Sequence, residues 1–258
     1  METALITGAS NGIGLELAKI FASHKINLVL VARRKDRLLE IADNLSQKGI
    51  EVRIYDRDLS SLQNAEDIYK DLADKGIRID YLVNNAGFGT SGNYTDLPWE
   101  SELNMLNLNM VALAYFTKVY AREMKQNGRG RILNIASTAA FQPGPYMAAY
   151  SATKSFVLSL SEAVHQELKG SGVSVSALCP GPTETNFKKR AGINNSFAFS
   201  GLSQSQPRQV AQYGYTLMMK GKRLGIYGNT NRLIVFVLRF ICRGWIVGLA
   251  GRFLKDKS

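Results

Sequence analysis

Short apolar runs alternate with longer stretches of helical periodicity along most of the chain. TALIT (3–7), NLVLVA (27–32), EVRIYD (51–56), IDYLV (79–83), RILNIA (131–136) and GVSVSAL (172–178) are dense in Val, Ile and Leu, and LGIYG (224–228) is a shorter seventh run. Continuous apolar runs of this kind predict strands buried on both faces of a parallel sheet. Between them, Ile13, Leu17, Ile20 and Phe21 follow the i, i+4, i+7, i+8 spacing of one apolar helix face, and Leu38, Ile41 and Leu45 do likewise. Two long helices are predicted at roughly 100–126 and 150–169. This alternation predicts an α/β fold: a doubly wound parallel sheet of about seven strands, helices on both faces and right-handed crossovers. Ligands of such sheets bind beyond the carboxyl ends of the strands, near the switch point of the strand order.

Composition narrows the chemistry. At 258 residues, 45% hydrophobic and 21% charged, the chain supports one large core. Cys179 and Cys242 are the only cysteines, and His24 and His165 the only histidines. A disulfide framework, a zinc cluster or a histidine-based triad is poorly supplied, so no metal is expected. The opening METALITGAS lacks a basic segment and a long apolar one, so no secretory signal is expected. Scarce cysteine fits a reducing cytoplasm. The net charge of +11 raises nucleic acid or anionic membrane as partners. No helix-turn-helix, zinc-finger or RNA-binding signature is present, so no nucleic acid is expected.

The informative residues follow strands. The first strand runs into TGASNGIG, whose Gly8, Gly12 and Gly14 suit a tight turn, backbone approach to a pyrophosphate and close helix–strand packing. The helix that opens there points free N–H groups at an anion. Ser10, Asn11 and Ile13 belong to the same cofactor turn. The second strand ends at Ala32 and is followed by Arg33 and Arg34, where an acid would hold the ribose hydroxyls of NAD. Guanidinium groups favour the 2′-phosphate of NADP instead, with Arg33 as the expected main contact. Asp58, with Leu59 beside it, is placed to accept from the adenine amino group. In AAYSATKSF, Tyr150 and Lys154 lie one helical turn apart on one face.

TGASNGIG, NNAG (84–87), the YSATK block and PGPTET (180–185) together resemble the short-chain dehydrogenase/reductase family over about residues 1–228, and in particular bacterial members related to 17β-hydroxysteroid and 3-ketoacyl reductases. The resemblance implies a single Rossmann-type catalytic domain over 1–228, with a lid at about 186–206. It implies a catalytic tetrad: Tyr150 as general acid/base, Lys154 as its partner, Ser137, and Asn109, with Asn107 the competing candidate for the last position. Asn85, Ala86 and Gly87 would line the adenine–ribose side, and Pro180, Gly181, Thr183 and Thr185 the nicotinamide half. A homodimer or homotetramer is also implied.

On this reading Lys154 lowers the phenol pKa of Tyr150 and clamps the cofactor ribose. Ser137 donates to a substrate carbonyl oxygen, Tyr150 supplies the proton, and Asn109 holds a water leading from Lys154 to solvent. Phe88, Tyr94, Phe141, Tyr146, Phe187, Phe197 and Phe199 would form an aromatic, apolar substrate pocket. Lys188, Lys189 and Arg190 could meet an anionic carrier. The reaction expected is NADPH-dependent interconversion of a carbonyl and a secondary alcohol. A non-catalytic NADP(H)-binding regulator or membrane-surface scaffold is the alternative.

Residues 229–258 form a basic, amphipathic tail. Arg232, Arg239 and Arg243 fall at i, i+7 and i+11 of a helical pattern amid Leu, Ile, Val, Phe and Trp. As a membrane span its apolar residues contribute roughly −3 to −7 kcal/mol and two arginines oppose with roughly +5 to +7, so no stable span is expected. Two readings stay open: a helix lying in a membrane surface, making the protein peripheral to it, or a tail packed against the body or a second subunit.

Overall fold

The computed structural model describes residues 1–187, 191 and 204–254. Seven parallel strands form one sheet: β1 Thr3–Thr7, β2 Asn27–Ala32, β3 Val52–Asp56, β4 Tyr81–Asn84, β5 Gly130–Ile135, β6 Val173–Cys179 and β7 Leu224–Ile226, in the order β3-β2-β1-β4-β5-β6-β7. Nine helices are described: α1 Gly12–Ser23, α2 Lys35–Ser46, α3 Leu62–Asp74, α4 Trp99–Leu106, α5 Leu113–Gln126, α6 Ala148–Glu167, α7 Pro207–Met219, α8 Asn229–Leu238 and α9 Arg243–Leu254.

The side-chain alternation of the strands explains their unbroken apolar sequences. Ala4 and Ile6 of β1 face α1 and α7 with Leu17, Phe21 and Val210, while Leu5 faces the opposite layer with Ile68, Leu72, Phe116 and Tyr120. Each strand needs apolar residues at both parities because both faces are covered. The strand order reverses between β1 and β4, whose register pairs Leu5 with Leu82 and Ile6 with Val83. A crevice therefore opens beyond Thr7 and Asn84.

The boundaries differ from the apolar runs for identifiable reasons. β4 reaches Asn84 because its buried side-chain amide donates to Asn134 at 2.9 Å and to Thr117 at 3.1 Å. It starts only at Tyr81, since the Asp80 carboxylate is occupied by the Thr3 N–H, Arg78 and Arg129. The expected 100–126 helix is interrupted by a π-helical turn, Asn107–Ala112. Such widened turns recur at functional sites, and this one carries Asn109.

The tail is two helices rather than one. Bonds from Arg239 N–H to the Phe236 carbonyl and from Phe240 N–H to the Val237 carbonyl close α8 in a tighter turn. The arginine stripe is thereby broken. Arg232 bonds the Ile226 carbonyl and the Tyr213 hydroxyl, while Arg239 caps α8 and Arg243 opens α9. Among the described residues no helix is long and apolar enough to cross a membrane.

Candidate active site

A cleft of about 830 Å³ lies over the carboxyl ends of β1, β2, β4, β5 and β6. Its floor is the glycine turn. Gly8 has φ +67°, and a Cβ there would lie 2.7 Å from Asn85 Nδ2 and 2.9 Å from Ala86 Cα. At Gly14 a Cβ would meet Asn85 Nδ2 and come within 2.5 Å of the Gly8 carbonyl oxygen. Only glycine allows β1, α1 and the NNAG segment to meet so closely. Thr7 ties these parts together: its hydroxyl accepts from the N–H groups of Asn85 and Ala86 at 3.0 and 2.9 Å. Asn85 Nδ2 donates back to the carbonyls of Thr7 and Gly8. Asn11 caps α1, and no acid sits in its first turn, so its N-terminal N–H groups face the cleft with an uncancelled positive field.

One end of the cleft is cationic. Arg33, Arg34 and Arg57 line it with Asp58 and the buried Leu59. Arg33 Nη1 pairs with Asp58 at 3.3 Å, and Arg34 Nη2 reaches the Ser10 carbonyl at 3.4 Å. Burial works against the Asp58 carboxylate, but the hydrogen bonds from Ser60 and the pairing with Arg33 outweigh it and hold its pKa below the usual value. A nucleotide with pyrophosphate and an added phosphate fits this combination of glycine cradle, helix N-terminus and arginine pair.

The other end holds the reactive side chains. α6 carries Tyr150 and Lys154, both buried, and β5 leads directly into Ser137. The Ser137 hydroxyl lies beside the Tyr150 phenol, favouring its ionised form, and accepts from the Ala139 N–H at 3.1 Å. Lys154 Nζ donates to the Ile135 carbonyl at 2.8 Å and stands 5.8 Å from the centroid of the Tyr150 ring. Asn109 is buried beside them. Its amide donates to the Phe88 carbonyl and to Thr153 Oγ1, and its Oδ1 accepts from the Phe88 N–H. Gly87 keeps the space between Asn109 and Lys154 open, since a Cβ there would lie 3.0 Å from Oδ1 and 3.6 Å from Nζ. Asn107 is not among the cleft-lining residues.

The electrostatics of the free protein run opposite to the sequence expectation for Tyr150. Burial raises its pKa to about 12 despite the opposing effect of the neighbouring Ser137 hydroxyl, and burial lowers Lys154 to about 8. The lysine does not lower the phenol here because its ammonium is directed at Ile135, leaving loss of water as the larger effect. Cys179, buried at the end of β6, is likewise pushed up to about 12 by burial.

All the expected cofactor residues except Gly14 line the cleft, together with Ser137, Tyr150 and Lys154. Gly14 and Asn109 stand just behind the lining. Thr183 pairs with Ser205, and Thr185 packs against Gly12, where a Cβ would lie 2.8 Å from its methyl. Only part of the expected aromatic pocket falls among the described residues. Phe88 and Phe187 line the cleft, with Phe187 5.2 Å from the Tyr150 ring, but Tyr94 is solvent-exposed and Phe141 packs with Val157 and Leu158. Phe197, Phe199, Lys188, Lys189, Arg190 and most of the 186–206 lid lie outside the described residues.

Sequence reasoning missed Thr7, Thr153 and the apolar wall of α8, where Ile234, Val235 and Leu238 line the cleft. The i, i+1, i+4 spacing of that wall was legible as one helix face. Its direction was not.

The model of the short chain dehydrogenase family matches residues 2–196. Ketoacyl reductase HetN of a Nostoc species is 30% identical over 239 residues, covering 89% of this chain and 79% of that protein. A solved short-chain dehydrogenase from Sphingobium yanoikuyae in complex with NADPH aligns with a TM-score of 0.83 at 30% identity, over 100% of this chain and 98% of that one. The bulky-bulky ketone specific alcohol dehydrogenase from Comamonas testosteroni aligns with a TM-score of 0.78 at 28% identity, over 100% and 97%.

Proposed function

The chain belongs to the short-chain dehydrogenase family of oxidoreductases, and from that premise we propose that it is an NADPH-dependent reductase of an apolar carbonyl compound, giving a secondary alcohol. The observation that carries the reading is that Ser137, Tyr150 and Lys154 line one end of a cleft whose other end bears Arg33 and Arg34. Gly8, Ser10, Asn11, Gly12, Ile13 and Gly14 hold the pyrophosphate, and Arg33 and Arg34 the 2′-phosphate. Asp58 and Leu59 border the adenine, Asn85, Ala86 and Gly87 the adjoining ribose. Pro180, Gly181, Thr183 and Thr185 take the nicotinamide half, with Tyr150 and Lys154 beside it. Bound there, NADPH supplies the hydride that reduces the carbonyl carbon.

Ser137 donates its hydroxyl to the carbonyl oxygen and fixes it within reach of the phenol. Tyr150 gives that oxygen its proton. The phenol is protonated at neutral pH, the form this direction requires, and burial extends that form to higher pH. Lys154 is cationic below about pH 8 and contacts ribose; turned from the Ile135 carbonyl toward the phenol, its ammonium stabilises the phenolate left behind. The dry surroundings strengthen that attraction. Asn109 anchors the 87–88 backbone against α6 and offers its remaining Oδ1 lone pair to a water beside Lys154. Phe88, Phe187, Ile234 and Leu238 favour an apolar substrate, and a ketone-specific relative is consistent with that.

We take the enzyme to be a homodimer or homotetramer that contacts membrane peripherally through its tail. Light scattering tests the first point, with a monomer at micromolar concentration as the contrary result. For the activity itself, the purified chain is incubated with NADPH and a panel of ketones, β-ketoacyl thioesters and aldehydes. Consumption of NADPH with formation of the matching alcohol is expected. No turnover on any apolar member contradicts the proposal.

A further inference from the structure

The α8 helix has two apolar faces. Asn231, Ile234, Val235 and Leu238, at i, i+3, i+4 and i+7, line the cleft, with Val235 buried and Ile234 still 42% exposed. Leu233, Phe236, Val237 and Phe240 turn outward. The outward set continues through Ile241 into α9 with Trp245 and Leu249. Phe240 and Trp245 are 75% and 79% exposed. Inward contacts hold the pair in place: Val235, Ile246 and Ala250 are buried, and Asn231 packs against Gly181. The outer face is thus presented by docked helices and is not a frayed end.

The charge on this face is of one sign. Residues 229–254 contain no Asp or Glu. Arg239, Arg243 and Arg252 are exposed and form no ion pair among the described residues. Arg239 and Arg243 flank the turn whose tip is Phe240, and the Phe236 and Phe240 rings contact each other edge-on at 5.2 Å. A self-complementary contact through this face with a second copy would offer these arginines no carboxylate, since residues 229–254 have none. Aromatic and aliphatic side chains surrounded by unpaired arginines suit the headgroup level of an anionic bilayer.

We infer that the outer face of α8 and α9 docks on an anionic bilayer surface, with Phe236, Phe240 and Trp245 entering the headgroup–acyl boundary. Because the other face of α8 is the cleft wall, docking brings the substrate mouth to the lipid, and an apolar carbonyl compound dissolved in the bilayer reaches Tyr150 past α8. The route of entry rests on the reductase reading; the docking does not.

The full chain and the variant Phe236→Ser/Phe240→Ser/Trp245→Ser are sedimented with vesicles of phosphatidylcholine and phosphatidylglycerol, and with phosphatidylcholine alone. The three positions are solvent-exposed, so folding is checked by circular dichroism and by unchanged NADPH affinity. The wild type is expected in the pellet with anionic vesicles and the triple variant in the supernatant. Each arginine at an anionic surface adds about fivefold to partitioning, so Arg239→Gln/Arg243→Gln is expected to weaken binding by roughly 25-fold. Added salt is expected to weaken the wild type too. A wild type that stays in the supernatant at low salt overturns the docking. So does a triple variant that sediments like wild type, or one that loses an oligomeric state the wild type has, since the face would then be a subunit contact. In the activity arm, cyclohexanone in solution and 2-tridecanone loaded in the vesicles are compared. The triple variant is expected to match wild type on the first and to lose at least fivefold on the second. Equal rates on both overturn entry through the lipid, whereas no reduction of either ketone by wild type counts against the reductase reading and leaves the sedimentation result to decide the docking.

Discussion

Replacing Arg33 and Arg34 separately and together should change the choice between NADPH and NADH. A charge-assisted hydrogen bond to phosphate contributes about 1.5–3 kcal/mol. Arg33 must first give up its pair with Asp58, whose side chains are 54% and 42% exposed. Such an exposed pair contributes only about 0.2–1 kcal/mol. The net loss for Arg33→Ala is therefore about 1–2 kcal/mol, or roughly 5–30-fold in the NADPH dissociation constant. Arg34 has only a 3.4 Å bond to the Ser10 carbonyl to give up. Its removal should cost roughly 10–150-fold. The sequence favoured Arg33 as the main contact; the Asp58 pairing makes Arg34 its equal or better. Isothermal titration of both cofactors into wild type and the three variants measures this. NADH, lacking the phosphate, should change by less than about threefold, because only weak exposed pairs are disturbed. Equal affinity of wild type for NADH and NADPH, or parallel losses for both cofactors, would refute the reasoning.

Two further outcomes are expected. Gly14→Ala places a Cβ against Asn85 Nδ2 and 2.5 Å from the Gly8 carbonyl oxygen; overpacking of about 1–3 kcal/mol should lower Tm by roughly 2–12 °C and weaken NADPH binding, and an unchanged Tm would contradict the close-packing account. Burial lowers Lys154 to about 8, so its charge is complete well below pH 8 and lost as pH rises through it, while Tyr150, raised to about 12, stays protonated over that range. Reductive kcat/KM, which reports the free enzyme, should fall above about pH 8 and the limb should vanish in Lys154→Met; a profile flat to about pH 9.5 would contradict it.

The strand runs and the order of motifs in the chain were enough to anticipate the sheet and the crevice over β1 and β4, because a parallel sheet buried on both faces imposes its pattern on every strand. The glycine turn was legible for a similar reason: no other residue fits between Thr7 and Asn85. Three features were hidden. The π turn at Asn109 depends on a tertiary bond to Phe88, which helical periodicity does not register. The raised pKa of Tyr150 follows from its burial and from Lys154 pointing at Ile135, and neither is written in a four-residue spacing. The tail's periodicity suggested a single helix with an arginine stripe, but the tight turn after Phe236 splits it and gives α8 one face for the cleft and one for solvent.

The central claim is that Tyr150 delivers the proton in an NADPH-dependent carbonyl reduction. Tyr150→Phe removes only the phenolic oxygen, leaving the ring packed against Phe187 and Lys154 bonded to Ile135. Single-turnover reduction of a carbonyl substrate by NADPH-saturated wild type and Tyr150→Phe tests the claim most directly. The account predicts that NADPH affinity stays within about fivefold while the rate falls by at least about 100-fold, the scale of general acid catalysis. A Tyr150→Phe enzyme that reduces the substrate at the wild-type rate would contradict it.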